Sequence, residues 1–302
     1  MGIFSWLLKG RGFDVSELAR RLELDEDRLR RFQPAYRSFS IPKSSGGMRR
    51  ILAPDPELKS LQRRILDRLL ARLRIHPAAM AFEPGRSIVT NALAHCGQEV
   101  VVRMDLKDFF PNTSAERLRR YFRLIGWNRP AANLLVRLCT SDGGLPQGAP
   151  TSPRLSNLVN YRLDARIAGV AARCEAVYTR YADDITLSMA HYDRTKLHRL
   201  IRFVRRAVAE EGYAVHRRKK LSVRRRHHRQ LVTGLVVNER VGLPRPIRRW
   251  LRAVQHRMST AQPGGLDQYH ALATPKHPTI TPLQLQGWQA LCAMIVRQAG
   301  RR

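Results

Sequence analysis

Val177-Tyr-Thr-Arg-Tyr-Ala-Asp-Asp-Ile-Thr-Leu-Ser-Met189 is the stretch that decides the fold. Val177, Thr179 and Tyr181 alternate before the acidic pair, and Ile185, Leu187 and Met189 alternate after it. Period-two spacing on both sides of a short break predicts two strands turning around Ala182–Asp183. Asp183 and Asp184 then stand together at the tip of a tight hairpin. Two carboxylates that close repel one another unless a cation neutralises them. Asp is also a good turn former, so the pair taken alone reads first as turn chemistry.

Outward from the hairpin, a third carboxylate changes that reading. Glu99-Val-Val-Val-Arg-Met-Asp105 has the apolar run of a buried strand and ends on Asp105. Carboxylates on three strand ends can hold two Mg²⁺ ions about 4 Å apart, which clamp the attacking and leaving oxygens of a phosphoryl displacement. The whole chain fits a polyanionic partner. Its 302 residues hold 55 Lys+Arg against 24 Asp+Glu, a formal charge of +31, and 47 of the 55 are Arg. Such charge is an argument about partners rather than fold: nucleic acid first, a membrane surface second. Hydrophobic residues make up 43% and are spread throughout, which excludes a largely disordered chain. The length allows one large domain or two ordinary ones. No apolar run approaches the roughly 20 residues of a spanning helix, and Met1–Lys9 is too short for a secretory signal. Cys96, Cys139, Cys174 and Cys292 are scattered with no C-x-x-C pair, against a disulfide framework and for a cytoplasmic setting.

Residues 14–35 read as an N-terminal amphipathic helical unit that Pro34 ends. Ser44-Ser-Gly-Gly47 separates two extended runs, a β-hairpin signal over 36–53. A helix is predicted from about Glu57 to Leu73. Thr113-Ser-Ala-Glu116 has capping-box spacing and predicts a helix to about Leu124. Ser152-Pro153 starts another, predicted to stop near Gly169. A further helix spans about Arg194 to Glu211, closed by Gly212. Beyond Pro244 the chain is helical again, with a break at Pro263–Gly265.

Five ordered blocks resemble the reverse transcriptases. Tyr181-Ala-Asp-Asp184 is similar to their active-site box, and Met104-Asp-Leu-Lys-Asp-Phe-Phe-Pro-Asn112 to their first carboxylate block. Gly144-Leu-Pro-Gln-Gly-Ala-Pro-Thr-Ser-Pro153 resembles the block that presses on the incoming nucleotide and template. Ile41-Pro-Lys-Ser-Ser-Gly-Gly-Met-Arg-Arg-Ile51 looks like the fingers hairpin. Phe82-Glu-Pro-Gly-Arg-Ser-Ile-Val-Thr-Asn-Ala92 is similar to the block that follows it in bacterial members. Asn91-Ala-Leu-Ala-His95 and Val232-Thr-Gly234 match two elements of the retron group.

The resemblance implies an α+β right-hand polymerase. An N-terminal extension covers 1–35, fingers and palm 36–238, and a helical thumb that binds RNA 239–302. It implies that Asp105, Asp183 and Asp184 hold two Mg²⁺ ions, with Mn²⁺ as a substitute, helped by the backbone carbonyl of Leu106. Phe110 would lie against the sugar and exclude a 2′-hydroxyl, which implies dNTP use. Gln147 and Gly148 would line the nucleotide pocket. Arg49, with Arg50 or Lys43, would grip triphosphate through guanidinium–phosphate contacts. A lysine after Gly212-Tyr213 is thought to protonate pyrophosphate. Here His216-Arg-Arg-Lys-Lys220 departs from the usual Asn-x-x-Lys, and both Lys219 and Lys220 fit. RNA contacts are expected from Asn91, His95, Arg224, Arg225 and Arg226, and from Arg248, Arg249 and Arg252 around Trp250. His95 has an alternative reading as a core histidine, and the basic runs one as solvated faces. Trp288 and Leu291 read as core.

A retron enzyme would copy a cognate structured noncoding RNA into branched multicopy single-stranded DNA. Synthesis would start from an RNA 2′-hydroxyl, pass through an RNA–DNA hybrid, and serve antiphage defence with a separately encoded effector. Three alternatives stand beside this. One is another bacterial reverse transcriptase without a branched product, as in group II introns. The others are a non-enzymatic RNA-binding scaffold and a two-metal nuclease, though a nuclease has no need of Phe110 or Gln147.

Overall fold

Two aspartates shape the N-terminal end. The computed structural model describes residues 12–43, 46–216, 221–260 and 281–300. Asp14 and Asp25 accept hydrogen bonds from the Glu17 and Arg28 N–H groups, capping α1 (Val15–Leu22) and α2 (Glu26–Arg31). The single unit expected over 14–35 is thus two helices, because Glu23 turns left-handed at φ 51° between them. The expected hairpin follows as β1 (Tyr36–Pro42) and β2 (Met48–Pro54), antiparallel with Phe39 opposite Ile51. Asp55 caps α3 (Pro56–Ile65), which passes into a π turn at 66–70 and stops short of Leu73.

Between α3 and the next long strand lies a helix the sequence did not announce, α4 (Ile88–Leu93), capped by Ser87. β3 (Val100–Asp105) leads to the short α5 (Phe109–Asn112), then α6 (Ala115–Leu124) and α7 (Arg129–Cys139). The capping box expected from Thr113 and Glu116 does not form. Ser114 caps α6, and the Thr113 hydroxyl instead bonds the Phe109 carbonyl and meets Tyr213. The helix predicted over 152–169 is likewise two helices, α8 (Ser152–Val159) and α9 (Tyr161–Arg173), broken at Asn160. Gly169 lies inside α9 rather than ending it. Then come β4 (Ala176–Tyr181), β5 (Asp184–Met189), α10 (Arg194–Glu210), β6 (Ser222–Arg225), β7 (Leu231–Val232), β8 (Leu235–Val236), α11 (Arg245–Thr260) and α12 (Pro282–Ala299). Residues 1–11 of the expected extension and the expected break at 263–265 lie outside the described residues.

The central sheet has the order β4-β5-β3-β6, antiparallel throughout. Alternation along its strands gives two faces with different work. Val100, Val102, Met104, Ile185, Leu187 and Met189 point into a core shared with Leu163 and Ile167 of α9 and Leu197, Leu200 and Val204 of α10. The opposite face carries Val101, Arg103, Asp105, Asp184, Thr186 and Ser188. Val101 belongs to a second core with α4, the β7–β8 hairpin, α11 and α12. A third core gathers α1, α3, α6, α7 and α8. Phe110 packs at the junction of the sheet core and this helical core.

Candidate active site

Strand register brings the backbones of the three aspartates together. Tyr181 pairs with Asp184 across the hairpin, leaving Ala182–Asp183 as a two-residue loop. Asp105 lies opposite Asp184 on the neighbouring strand. The Leu106 N–H donates to the Asp183 carbonyl at 2.9 Å, which stitches the loop to the end of β3. Beyond β3, the His216 N–H donates to the Asp105 carbonyl and the Lys107 N–H to the Ala214 carbonyl, both at 2.8 Å. The segment after Gly212-Tyr213 therefore lies directly beside Asp105. Lys219 and Lys220 follow it and lie outside the described residues.

Ala182 takes φ 56°, a conformation that costs a non-glycine residue about 1–2 kcal/mol. Arg180, fully buried beneath it, braces the turn: its Nη1 donates to the Ala182 carbonyl at 3.2 Å. The same guanidinium holds the buried Asp164 of α9 with two bonds, Nε to Oδ1 at 2.8 Å and Nη2 to Oδ2 at 2.7 Å. Tyr178 donates to the same carboxylate at 2.7 Å. Burial first, then the neighbouring Asp164 charge, pushes the Tyr178 phenol well above its usual range. Neither Arg180 nor Asp164 was singled out in the sequence. An arginine one residue before the box reads as a solvent-facing strand position until α9 is seen to supply its partner.

Arg103 is the other residue that sequence reading missed. It lies two residues before Asp105, hence on the same face, and its Nη2 is 3.3 Å from Asp184 Oδ1. Among the described residues, no three His, Cys, Asp or Glu side chains close into a metal cage. The donor chemistry nevertheless suits Mg²⁺, which takes hard oxygen ligands and is commonly held by one or two carboxylates plus substrate phosphates. Below the carboxylates runs a groove of about 370 Å³ lined by Val101, Arg103, Ser222, Arg224, His228, Arg229 and Leu231.

Of the nucleotide-side candidates, Gln147 and Gly148 lie against the β1–β2 hairpin. Gly148 sits at φ 133° with a hypothetical Cβ only 2.8 Å from the Leu52 carbonyl, and the Leu52 N–H donates to the Gln147 carbonyl at 2.9 Å. Gln147 and Gly148 are thus pressed against β2, the strand of Arg49 and Arg50. Those two arginines point to opposite faces of the hairpin. Arg50 is held by Asp142 at 3.1 Å and Ser38 at 3.0 Å. Lys43 closes the loop at its tip, accepting from the Gly46 N–H through its carbonyl. Phe110 is half-buried, and Phe109 beside it is a core aromatic stacked on Tyr213.

The RNA candidates divide. Asn91 and His95 are fully buried, so the expectation of direct RNA contact is corrected to a structural role. His95 Nδ1 lies 2.7 Å from Ser188 Oγ and Nε2 2.7 Å from Thr179 Oγ1, and burial pushes its pKa down to about 3. Arg224, Arg225 and Arg226 also separate, because a strand sends neighbours to opposite faces. Arg224 lines the groove, whereas Arg225 pairs with Glu99 at 3.2 Å and covers the Tyr192 ring. Arg226 is exposed, as are Arg248, Arg249 and Arg252 along α11. Trp250 packs edge-on against Trp288, their centroids 6.2 Å apart, and both belong to the margin of the C-terminal core with Leu291. None of the four cysteines is in a disulfide among the described residues, and no described helix is long and apolar enough to cross a membrane.

Comparison with known proteins adds an independent line. The family model for reverse transcriptase (RNA-dependent DNA polymerase) matches residues 41–233. Retron Mx65 reverse transcriptase of Myxococcus xanthus is 43% identical over 245 residues, 75% of this chain and 57% of that protein. Retron Mx162 reverse transcriptase of the same organism is 38% identical over 306 residues, 87% of this chain and 63% of that protein. Retron Ec86 reverse transcriptase of Escherichia coli is 37% identical over 224 residues, 73% of this chain and 69% of that protein. The chain therefore spans a little over half to two thirds of the length of these relatives.

Proposed function

The chain belongs to the reverse transcriptase family, in its retron group, and from that premise we propose that it is an RNA-directed DNA polymerase that copies a cognate noncoding RNA. The observation that carries this reading is the register that sets Asp105 opposite Asp184 while the Leu106 N–H holds the Asp183 carbonyl. Asp105, Asp183, Asp184 and the Leu106 carbonyl would hold two Mg²⁺ ions. When bound, these would supply a lowered pKa at the attacking hydroxyl and charge neutralisation at the triphosphate.

The chain's own residues account for the rest. The β1–β2 hairpin and the helices around it serve as fingers, the four-stranded sheet with α9 and α10 as palm, and α11 with α12 as thumb. Arg49 and Lys43 meet triphosphate oxygens, and Phe110 lies under the deoxyribose. Gly148 lets the loop pass close to β2, so that Gln147 faces the pairing nucleotide. The groove lined by Arg103, Arg224, His228 and Arg229 tracks the phosphates of the priming strand, contacts that weaken steeply with salt. The primer is an RNA 2′-hydroxyl, the product is branched single-stranded DNA, and the setting is cytoplasmic antiphage defence with a separate effector.

The test is expression with flanking DNA, followed by separate RNase and DNase digestion of copurifying nucleic acid. A short discrete DNA joined to an RNA nucleotide, absent in the Asp183→Asn/Asp184→Asn variant while RNA binding survives, is the expected result. RNA alone, with no DNA synthesis when dNTPs are supplied, would refute the polymerase. DNA without a branch would refute the 2′-primed product.

A further inference from the structure

We propose that Phe82 is a specificity-determining residue for the sugar of the incoming nucleotide, forming with Phe110 a two-ring apolar wall. The inference rests on the polymerase reading above. Phe82 is 46% exposed although Ala81 beside it is fully buried. It also takes φ 65°, a left-handed conformation that an L side chain rarely adopts. A turn that served shape alone would be better filled by glycine or asparagine. Both features set an aromatic ring at the surface, and its ring neighbour is Phe110. The two centroids lie 6.1 Å apart at 45°, and Phe110 is in turn 5.4 Å from Phe109. The three rings form one row from the core to solvent, with Phe82 at the open end.

The conformation is held from α8 on both sides of the residue. Asn157 Nδ2 donates to the Ala81 carbonyl at 2.8 Å and to Glu83 Oε1 at 2.9 Å. Arg154 forms a largely buried ion pair with Glu83. Arg86 Nη1 closes the loop on the Pro77 and Ala79 carbonyls, both at 2.6 Å. Strain kept in place by a surrounding hydrogen-bond frame marks a position where the side chain's direction matters. A deoxyribose can lie against two phenyl rings without loss. A ribose would bring its 2′-hydroxyl against carbon alone, desolvated and without a partner.

Phe82→Gly removes the ring and suits the positive φ, so the fold should survive; a melting curve checks it. Single-nucleotide incorporation by the full chain on an RNA template with a DNA primer and Mg²⁺ then gives kcat/KM for a dNTP and for its ribonucleotide. The expected result is a loss of discrimination of about 10-fold, through a rise in ribonucleotide use, with Phe82→Leu falling between. Combined with Phe110→Ala the losses should be less than multiplicative, because the two rings bound one space. Unchanged discrimination in a normally melting Phe82→Gly protein would overturn the assignment. Equal loss for both nucleotides would also overturn it, marking Phe82 as a platform for base or template. A wild-type chain that incorporates no dNTP would instead refute the polymerase premise itself.

Discussion

Replacing Arg180 by Met tests whether the acidic turn stands on a buried charge pair. Arg180 and Asp164 side chains are both 0% exposed, and two guanidinium bonds plus the Tyr178 hydroxyl satisfy one carboxylate. Met keeps much of the volume and leaves Asp164 buried without its cation. Breaking such a pair by removing one partner costs about 3–5 kcal/mol. For a domain of this size each kcal/mol moves the melting midpoint by roughly 2–4 °C, so a fall of roughly 6–20 °C is expected. Urea unfolding followed by circular dichroism reads the same loss directly. Substituting all the polar members, as Arg180→Met/Asp164→Leu/Tyr178→Phe, should recover most of it, since apolar replacement of a whole buried pair is often neutral. That compensated variant still lacks the donor to the Ala182 carbonyl, so primer extension should stay depressed while stability returns. A cost below about 1 kcal/mol for Arg180→Met, or a compensated variant no more stable than the single one, would refute the reasoning. Full extension activity in the compensated variant would refute the brace.

His95 should make stability fall in acid. Its pKa is about 3 when folded, against an ordinary value of 6.5, so below pH 6.5 the unfolded chain takes up a proton that the folded one refuses. Stability is therefore complete above about pH 7 and should drop by about 2 kcal/mol at pH 5; His95→Gln should flatten that slope in denaturant titrations at the two pH values. At Gly148, an alanine would meet the Leu52 carbonyl at 2.8 Å and be strained at φ 133°. Gly148→Ala should raise the dNTP KM by about 10-fold or more, with Arg49 and Gln147 intact, and an unchanged KM would show that the loop does not shape the nucleotide pocket.

What the sequence made legible was local. The acidic hairpin, the β1–β2 hairpin and the apolar run to Asp105 each carry their period within a few residues, and each forms as spaced. The helix break at Asn160 was hidden because apolar residues keep helical spacing across it. Asn160 is set there by distant partners, its amide bonding the Tyr213 hydroxyl and the Arg117 guanidinium. Arg103 and Arg180 were hidden for the same reason: what defines them is Asp184 and Asp164, reached through register and through α9. The separation of Arg224 from Arg225 follows from strand alternation, and was lost because that run reads as charge before it reads as β6. Histidine burial has no local signal at all. His95 is equally at home among phosphates or between two hydroxyls, and only the packing of α4 on the sheet decides it.

That packing explains why two short motifs far apart in sequence belong together. In Val232-Thr-Gly234, Val232 is buried in the C-terminal core, while Thr233 at φ 46° and Gly234 at φ 83° make the two-residue turn of the β7–β8 hairpin. Positive φ at both loop positions is the geometry whose twist suits paired strands. It also swings the Thr233 hydroxyl onto the Ile88 carbonyl at 2.8 Å, on the first turn of α4. Asn91-Ala-Leu-Ala-His95 is that helix and its exit, with Asn91 and Ala92 buried and His95 bonded to both strands of the acidic hairpin. On the other side, Ser87 Oγ donates to Gln298 Oε1 of α12 at 2.8 Å. The two motifs are thus halves of one clamp, with α4 pressed between the carboxylate-bearing sheet and the C-terminal helices. The exposed Arg248, Arg249 and Arg252 stand on α11, which shares its core with α4 and the β7–β8 hairpin.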